Sequence, residues 1–332
     1  MLKIGWMDCR RWIRARALTL GALAVFAGLT VAMLATQGLV LSHDWLFGWV
    51  VLGLLALSLS DLRRWARGVV IDWLPFAGFL IAYDIARGVA DNVGIAPHIS
   101  TGLDFDRFLF GSPLPTNWLQ THLFDATRAR WYDYGTFFVY LSHFFVTLVI
   151  AAALWRWAYP QFKRFRAMVL ALAGVGFLTY ILFPAAPPWM AATDGRLPYI
   201  SRTIGYMWVH VGFLPARSLF ENGSGYVNDV AAVPSLHAAY TFLVLLFFWR
   251  RARWWLRALL VAYPLAMAFT LVYGGEHYVF DVVLGWAYAV GVFAAVNAFE
   301  RVMAKRRARV EEPVARLPLP EPSVAAYEHR VL

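Results

Sequence analysis

Cysteine is nearly absent from this chain: Cys9 is the single example in 332 residues. A disulfide within the chain and a cysteine-based metal cluster are both excluded. Charge is scarce too. Asp, Glu, Lys and Arg make up 15% of the residues and hydrophobic types 61%, a balance too apolar for an ordinary soluble domain. No Gly-rich phosphate loop leads into a helix at Gly174 and Gly176, which are read instead as sites of close helix packing.

What is present is hydrophobic sequence in runs of about 17–25 residues, the length a helix needs to cross a bilayer. The expected fold class is all-α, a polytopic transmembrane helical bundle of about eight spans, at roughly 17–38, 45–60, 69–89, 132–154, 167–184, 236–250, 256–273 and 280–299. Residues 1–60 would form an amino-terminal two-span segment, 61–300 the membrane core and 301–332 a cytoplasmic tail. The tail is basic, then rich in Pro and Glu, and is expected to be disordered. The basic stretch at the start precedes an apolar run from Ala17 to about Leu41, too long for a signal-peptide core, so it is read as a retained first span.

Formal net charge is +10. In membrane proteins basic residues collect on the cytoplasmic side, so this excess calls for no nucleic-acid partner. Eight spans put both termini on one side. That side carries 23 of the 30 Lys and Arg residues and the other side seven, which makes the rich side cytoplasmic. The two long loops, about 90–131 and 185–235, then face outward. The segment Pro115 to Phe124 in the first is expected to form a short helix on the outer membrane surface, capped by Thr116 or Asn117. The excess of Arg over Lys and the abundance of Ala suggest a GC-rich bacterial genome, hence a bacterial plasma membrane.

Two histidines stand at outer mouths of predicted spans. His237 lies in Val233-Pro234-Ser235-Leu236-His237, and His277 lies four residues before Asp281. On a helix that spacing sets both side chains on one face, a turn apart. A carboxylate that orients one imidazole, with a second imidazole nearby, suits nucleophilic and acid–base chemistry on a phosphate ester. A lone histidine at the interface is ordinarily just a polar group at headgroup depth, and His43, His98, His122, His143 and His210 are read that way. Asp84 and Arg87 are read as a structural pair or as contacts to a headgroup; Asp44, Asp61, Asp104 and Asp106 as loop or capping residues. With Asp72, the pair Asp84 and Arg87 also leaves open a transporter or channel, a reading in which His277 would be dispensable.

Pro234-Ser235-Leu236-His237 and His277-x-x-x-Asp281 resemble two of the three signature motifs of the type 2 phosphatidic acid phosphatase superfamily, P-S-x-H and S-R-x5-H-x3-D. Pro187-Pro188-Trp189, Tyr278, Asp72-Trp73-Leu74-Pro75, Tyr83-Asp84 and Leu109-Phe110-Gly111 extend the resemblance to the inositol phosphorylceramide synthase branch, over most of residues 60–300. The chain departs from the phosphatases where their phosphate-clamping residues stand. K-x6-R-P is missing ahead of Pro234, and Thr270-Leu271 replaces the Ser-Arg pair. The synthase branch lacks these as well.

The resemblance implies a six-helix phosphatase-like core and a membrane phosphotransferase acting on a phospholipid or polyprenyl phosphate at the outer face, without metal or cofactor. A lipid phosphate phosphatase is the alternative, since water and an alcohol would use the same histidines. In the implied double displacement His277 attacks phosphorus, Asp281 orients His277, and His237 donates and then accepts a proton. Ser235 and the helix amino terminus behind it would hold phosphate oxygens. Arg217 is the first candidate for the missing clamp and Arg202 the next, ahead of Arg196 and Arg87; Tyr278 is read as a headgroup contact or a structural residue.

Overall fold

The computed structural model describes residues 6–37, 43–59, 62–90, 95–211 and 229–315. Among these residues the architecture is helical, with only isolated β-bridges at His98, Ala185 and Ala231. Six helices are long and apolar enough to cross a membrane: Ala17–Thr36, Trp65–Ala82, Trp131–Trp157, Tyr159–Leu182, Trp254–Tyr273 and Val279–Arg307. Trp45–Leu57 and Leu236–Phe248 are apolar but shorter. These eight overlap the eight expected spans, with several ends shifted. The 13 residues of Leu236–Phe248 rise about 20 Å, short of the ~30 Å hydrocarbon thickness.

The helices in chain order are α1 (Trp6–Gln37), α2 (His43–Leu57), α3 (Leu62–Gly68), α4 (Leu74–Ala90), α5 (Ser100–Phe110), α6 (Pro115–Leu123), α7 (Trp131–Trp157), α8 (Tyr159–Leu182), α9 (Pro188–Thr193), α10 (Thr203–His210), α11 (Leu236–Phe248), α12 (Trp254–Tyr273) and α13 (Val279–Ala315). A π-helical turn, Val69–Trp73, joins α3 to α4 with right-handed helical backbone on both sides. The described residues up to 293 form one compact unit and the described residues from 294 a second.

Three elements differ from expectation. α8 begins at Tyr159 rather than near 167. Pro160 stands in its first turn, where a missing N–H costs nothing, and the basic residues that looked like a loop continue the helix. One of them, Arg166, donates to the Asp72 side chain at 3.1 Å; Trp155 Nε1 (3.0 Å) and the Tyr159 hydroxyl (3.1 Å) donate to the same carboxylate. Asp72 is thus a satisfied packing node, not the lining of a path. α6 starts at Pro115, so Thr116 and Asn117 lie inside its first turn, buried, and neither caps it. α13 runs to Ala315 instead of ending near Phe299, because the Glu, Lys, Arg and Ala residues that follow are strong helix formers. Residues 316–332 lie outside the described residues.

The core that supports the site is a cluster of Phe137, Leu141, Met207, Trp208, Met267 and Val282 with their neighbours, contributed by α7, α10, α12 and α13. Gln120 on α6 ties this region together. Its amide donates to the carbonyls of Ser201 and Tyr273, both at 2.8 Å, and its oxygen accepts from Ser201 N–H at 2.9 Å.

Candidate active site

Ser235 is the residue that starts α11. Its hydroxyl accepts from Ala238 N–H at 3.4 Å, as a serine ahead of a first helical turn is suited to do. Its side chain is fully buried. The Tyr180 hydroxyl donates to Pro234 O at 2.8 Å and fixes the entry to the helix. His237 stands in the first turn of α11. Its ring is stacked by Tyr140 (centroids 4.8 Å apart) and lies 3.9 Å from the ring of His143, both on α7 one turn apart.

His277 and Asp281 meet at the entry to α13. The His277 Nδ1 lies 3.3 Å from Asp281 Oδ2, with His277 7% exposed and Asp281 fully buried. The helix begins only at Val279, so two residues on one helical face do not describe the contact. Instead the chain wraps the helix start, and Asp281, in the first turn, reaches back to accept from Tyr278 N–H at 2.9 Å as well. An acidic group there also suits the positive end of the helix dipole. The turn Gly274–Gly275 before it needs a positive φ of 73° at Gly275. Asp281 Oδ1 has no partner among the described residues.

The two half-sites are joined through backbone. Ser235 N–H donates to Asp281 O at 3.0 Å. Gly285, one turn further along α13, faces the same loop: a Cβ there would sit 2.3 Å from Ser235 O. This close approach brings the ring centroids of His237 and His277 to 6.0 Å, a gap that one tetrahedral phosphoryl group can bridge. A proton on His277 Nδ1 directed at Asp281 leaves Nε2 with its lone pair.

The sequence matches the PAP2 superfamily over residues 103–295. The chain belongs to the PAP2 superfamily. It is similar to the phosphoinositol dihydroceramide synthase of Bacteroides thetaiotaomicron, at 28% identity over 238 residues, covering 68% of this chain and 75% of that protein. No solved structure matches. With its apolar helices, this PAP2 protein is an integral membrane enzyme of the lipid phosphatase or phosphotransferase class.

The other sequence-derived site residues of this PAP2 enzyme fall as follows. Arg202, at the start of α10, forms a two-pronged ion pair with Glu276, the neighbour of His277, at 3.0 and 3.1 Å. Its guanidinium lies 4.6 Å over the Trp189 ring, and Trp189 N–H donates to Gly275 O at 3.3 Å. Burial works against the charge of Arg202, but Glu276, together with Tyr140 and Asp229, outweighs it, so the group stays cationic. Arg196 pairs with Asp194 on the exposed surface. Arg217 and the side chains of Asp84 and Arg87 lie outside the described residues. Tyr278 is buried between α5 and α13 and packs with Leu103 and Leu114, a structural placement. Burial, then the carboxylates of Asp281 and Asp106, push its hydroxyl pKa up.

Sequence reasoning missed two residues. His143, read as an interfacial histidine, lies against His237. Asp106, read as a local cap, instead accepts from Val279 and Phe280 N–H, both at 3.0 Å, at the start of α13. Both contacts span long stretches of chain, and no local motif announces them.

Proposed function

We propose that this PAP2 enzyme is a phosphotransferase that moves a phosphoryl-linked headgroup from a phospholipid to an alcohol through a phospho-histidine, at the outer face of the membrane. The observation that carries the reading is the pairing of His277 with Asp281, with His237 one phosphate's width away. His277 Nε2 attacks phosphorus, the bond from phosphorus to the diacylglycerol oxygen breaks, and His237 supplies the proton that leaves with that oxygen. The headgroup phosphate remains on His277. His237, now neutral, takes the proton of the acceptor hydroxyl, whose oxygen attacks phosphorus and frees His277. Asp281 stabilises the imidazolium that forms.

Ser235 and the start of α11 would receive phosphate oxygens, helped by the helix dipole. Arg202 is the described arginine tied to the His277 turn, and a phosphate would draw it from Glu276. The similarity to a phosphoinositol dihydroceramide synthase supports phosphatidylinositol as donor and a long-chain amide alcohol as acceptor. Purified protein with headgroup-labelled phosphatidylinositol and dihydroceramide should yield a labelled lipid product, and His277→Ala should yield none. Release of labelled inositol phosphate as the only product would make water the acceptor and overturn the transferase reading in favour of a hydrolase.

A further inference from the structure

α5 touches the catalytic turn at two independent points. Asp106, fully buried, places one carboxylate oxygen 3.0 Å from Val279 N and the other 3.0 Å from Phe280 N. Those N–H groups belong to the first turn of α13, which has no partner for them within the helix. One turn earlier on α5, Gly102 lies against Tyr278, so closely that a Cβ would be 2.4 Å from Tyr278 Cδ2. Tyr278 is the residue between His277 and α13, and its N–H is held by Asp281. The first turn of α13 is therefore gripped from two sides. Asp281, from within the helix, holds Tyr278 N–H and His277; Asp106, from α5, holds the next two N–H groups.

We propose that Asp106 is a positioning residue for the reaction: it fixes the first turn of α13 so that His277 and Asp281 hold their alignment toward His237. A carboxylate suits this role because it offers one acceptor to each N–H. An amide has only one oxygen, and its NH2 would face a backbone donor. The charge also sits at the positive end of the α13 dipole. Asp106 carries this out away from the substrate, through the backbone of Val279 and Phe280. This inference rests on the reading of His277 and Asp281 as the catalytic pair.

The test compares full-length Asp106→Asn, Gly102→Ala and Asp104→Asn with wild type and His277→Ala in the phosphatidylinositol transfer assay. Thermal unfolding in detergent reports the folded fraction of each. Asp106→Asn removes one acceptor without changing volume. Gly102→Ala leaves all charges in place and displaces Tyr278. Asp104, exposed on α5 and paired with Arg107, is the control. The expected result is a tenfold or greater fall in kcat per folded molecule for the first two variants, KM within twofold, and Asp104→Asn unchanged. Loss of kcat that merely follows loss of folded protein, or kcat within twofold of wild type for both variants, overturns the proposal. If His277→Ala keeps its activity, the catalytic reading itself falls. If His277→Ala is inactive while both α5 variants turn over normally, only the role of Asp106 falls.

Discussion

His277 and Asp281 show how much chemistry depends on which atom of a carboxylate is engaged. Asp281 Oδ2 serves both His277 and the Tyr278 N–H, and the group is fully buried. Asp281→Asn keeps the shape but can offer an NH2 to Nδ1, which favours the wrong imidazole tautomer. We expect kcat to fall by about a hundredfold or more, with phosphoenzyme trapping reduced in parallel in a rapid-quench experiment. Asp106 is a different case. Burial pushes its carboxyl up from 3.8 to about 6, opposed by the N–H groups of Val279 and Phe280 and reinforced by the Asp281 charge. The folded pKa is the higher one, so the folded state holds the proton more tightly. The stability gained in this way is full below pH 3.8 and is lost as pH rises through about 6. The difference in melting temperature between wild type and Asp106→Asn should therefore shift against wild type across that window. A difference flat with pH would show that Asp106 does not titrate there.

At the scale of elements, the site is a meeting of two helix starts. α11 brings Ser235 and His237; the entry to α13 brings His277 and Asp281. Their approach depends on the absence of a side chain at Gly285. Gly285→Ala would place a carbon 2.3 Å from Ser235 O, a backbone atom that cannot rotate away. The helices must separate, at a cost of about 1–3 kcal/mol. Thermal unfolding of Gly285→Ala should show this loss, and activity per folded molecule should fall, because separation widens the gap between His237 and His277. Retained activity at wild-type stability would mean the two helix starts are not so closely apposed. The apolar runs and the P-S-x-H and H-x-x-x-D patterns were legible because each is local. The extension of α8 back to Tyr159 was not, since its basic residues look like a loop until Asp72 is seen to receive Arg166.

At the scale of the whole molecule, the distribution of basic residues predicts both termini on the cytoplasmic side and the histidines opposite. A phosphatase reporter fused at the carboxy terminus should be silent and a cytoplasmic reporter active. A membrane-impermeant thiol reagent should label a cysteine introduced at exposed Tyr199, between α9 and α10, in intact cells. Labelling only after permeabilisation would invert the topology and move the chemistry to the inner leaflet.

Composition, run length and charge asymmetry determine a great deal from sequence alone, because the bilayer acts on every residue independently of its tertiary neighbours. Apolar length sets the helices, and two short motifs mark the two imidazoles that the fold brings together. The tertiary structure decided what lies around those imidazoles. His143 against His237, Asp106 on the start of α13, Glu276 on Arg202 and Gly285 under Ser235 are all contacts between residues distant in the chain. Such contacts depend on how helices pack, and packing is a property of surfaces that no local pattern records.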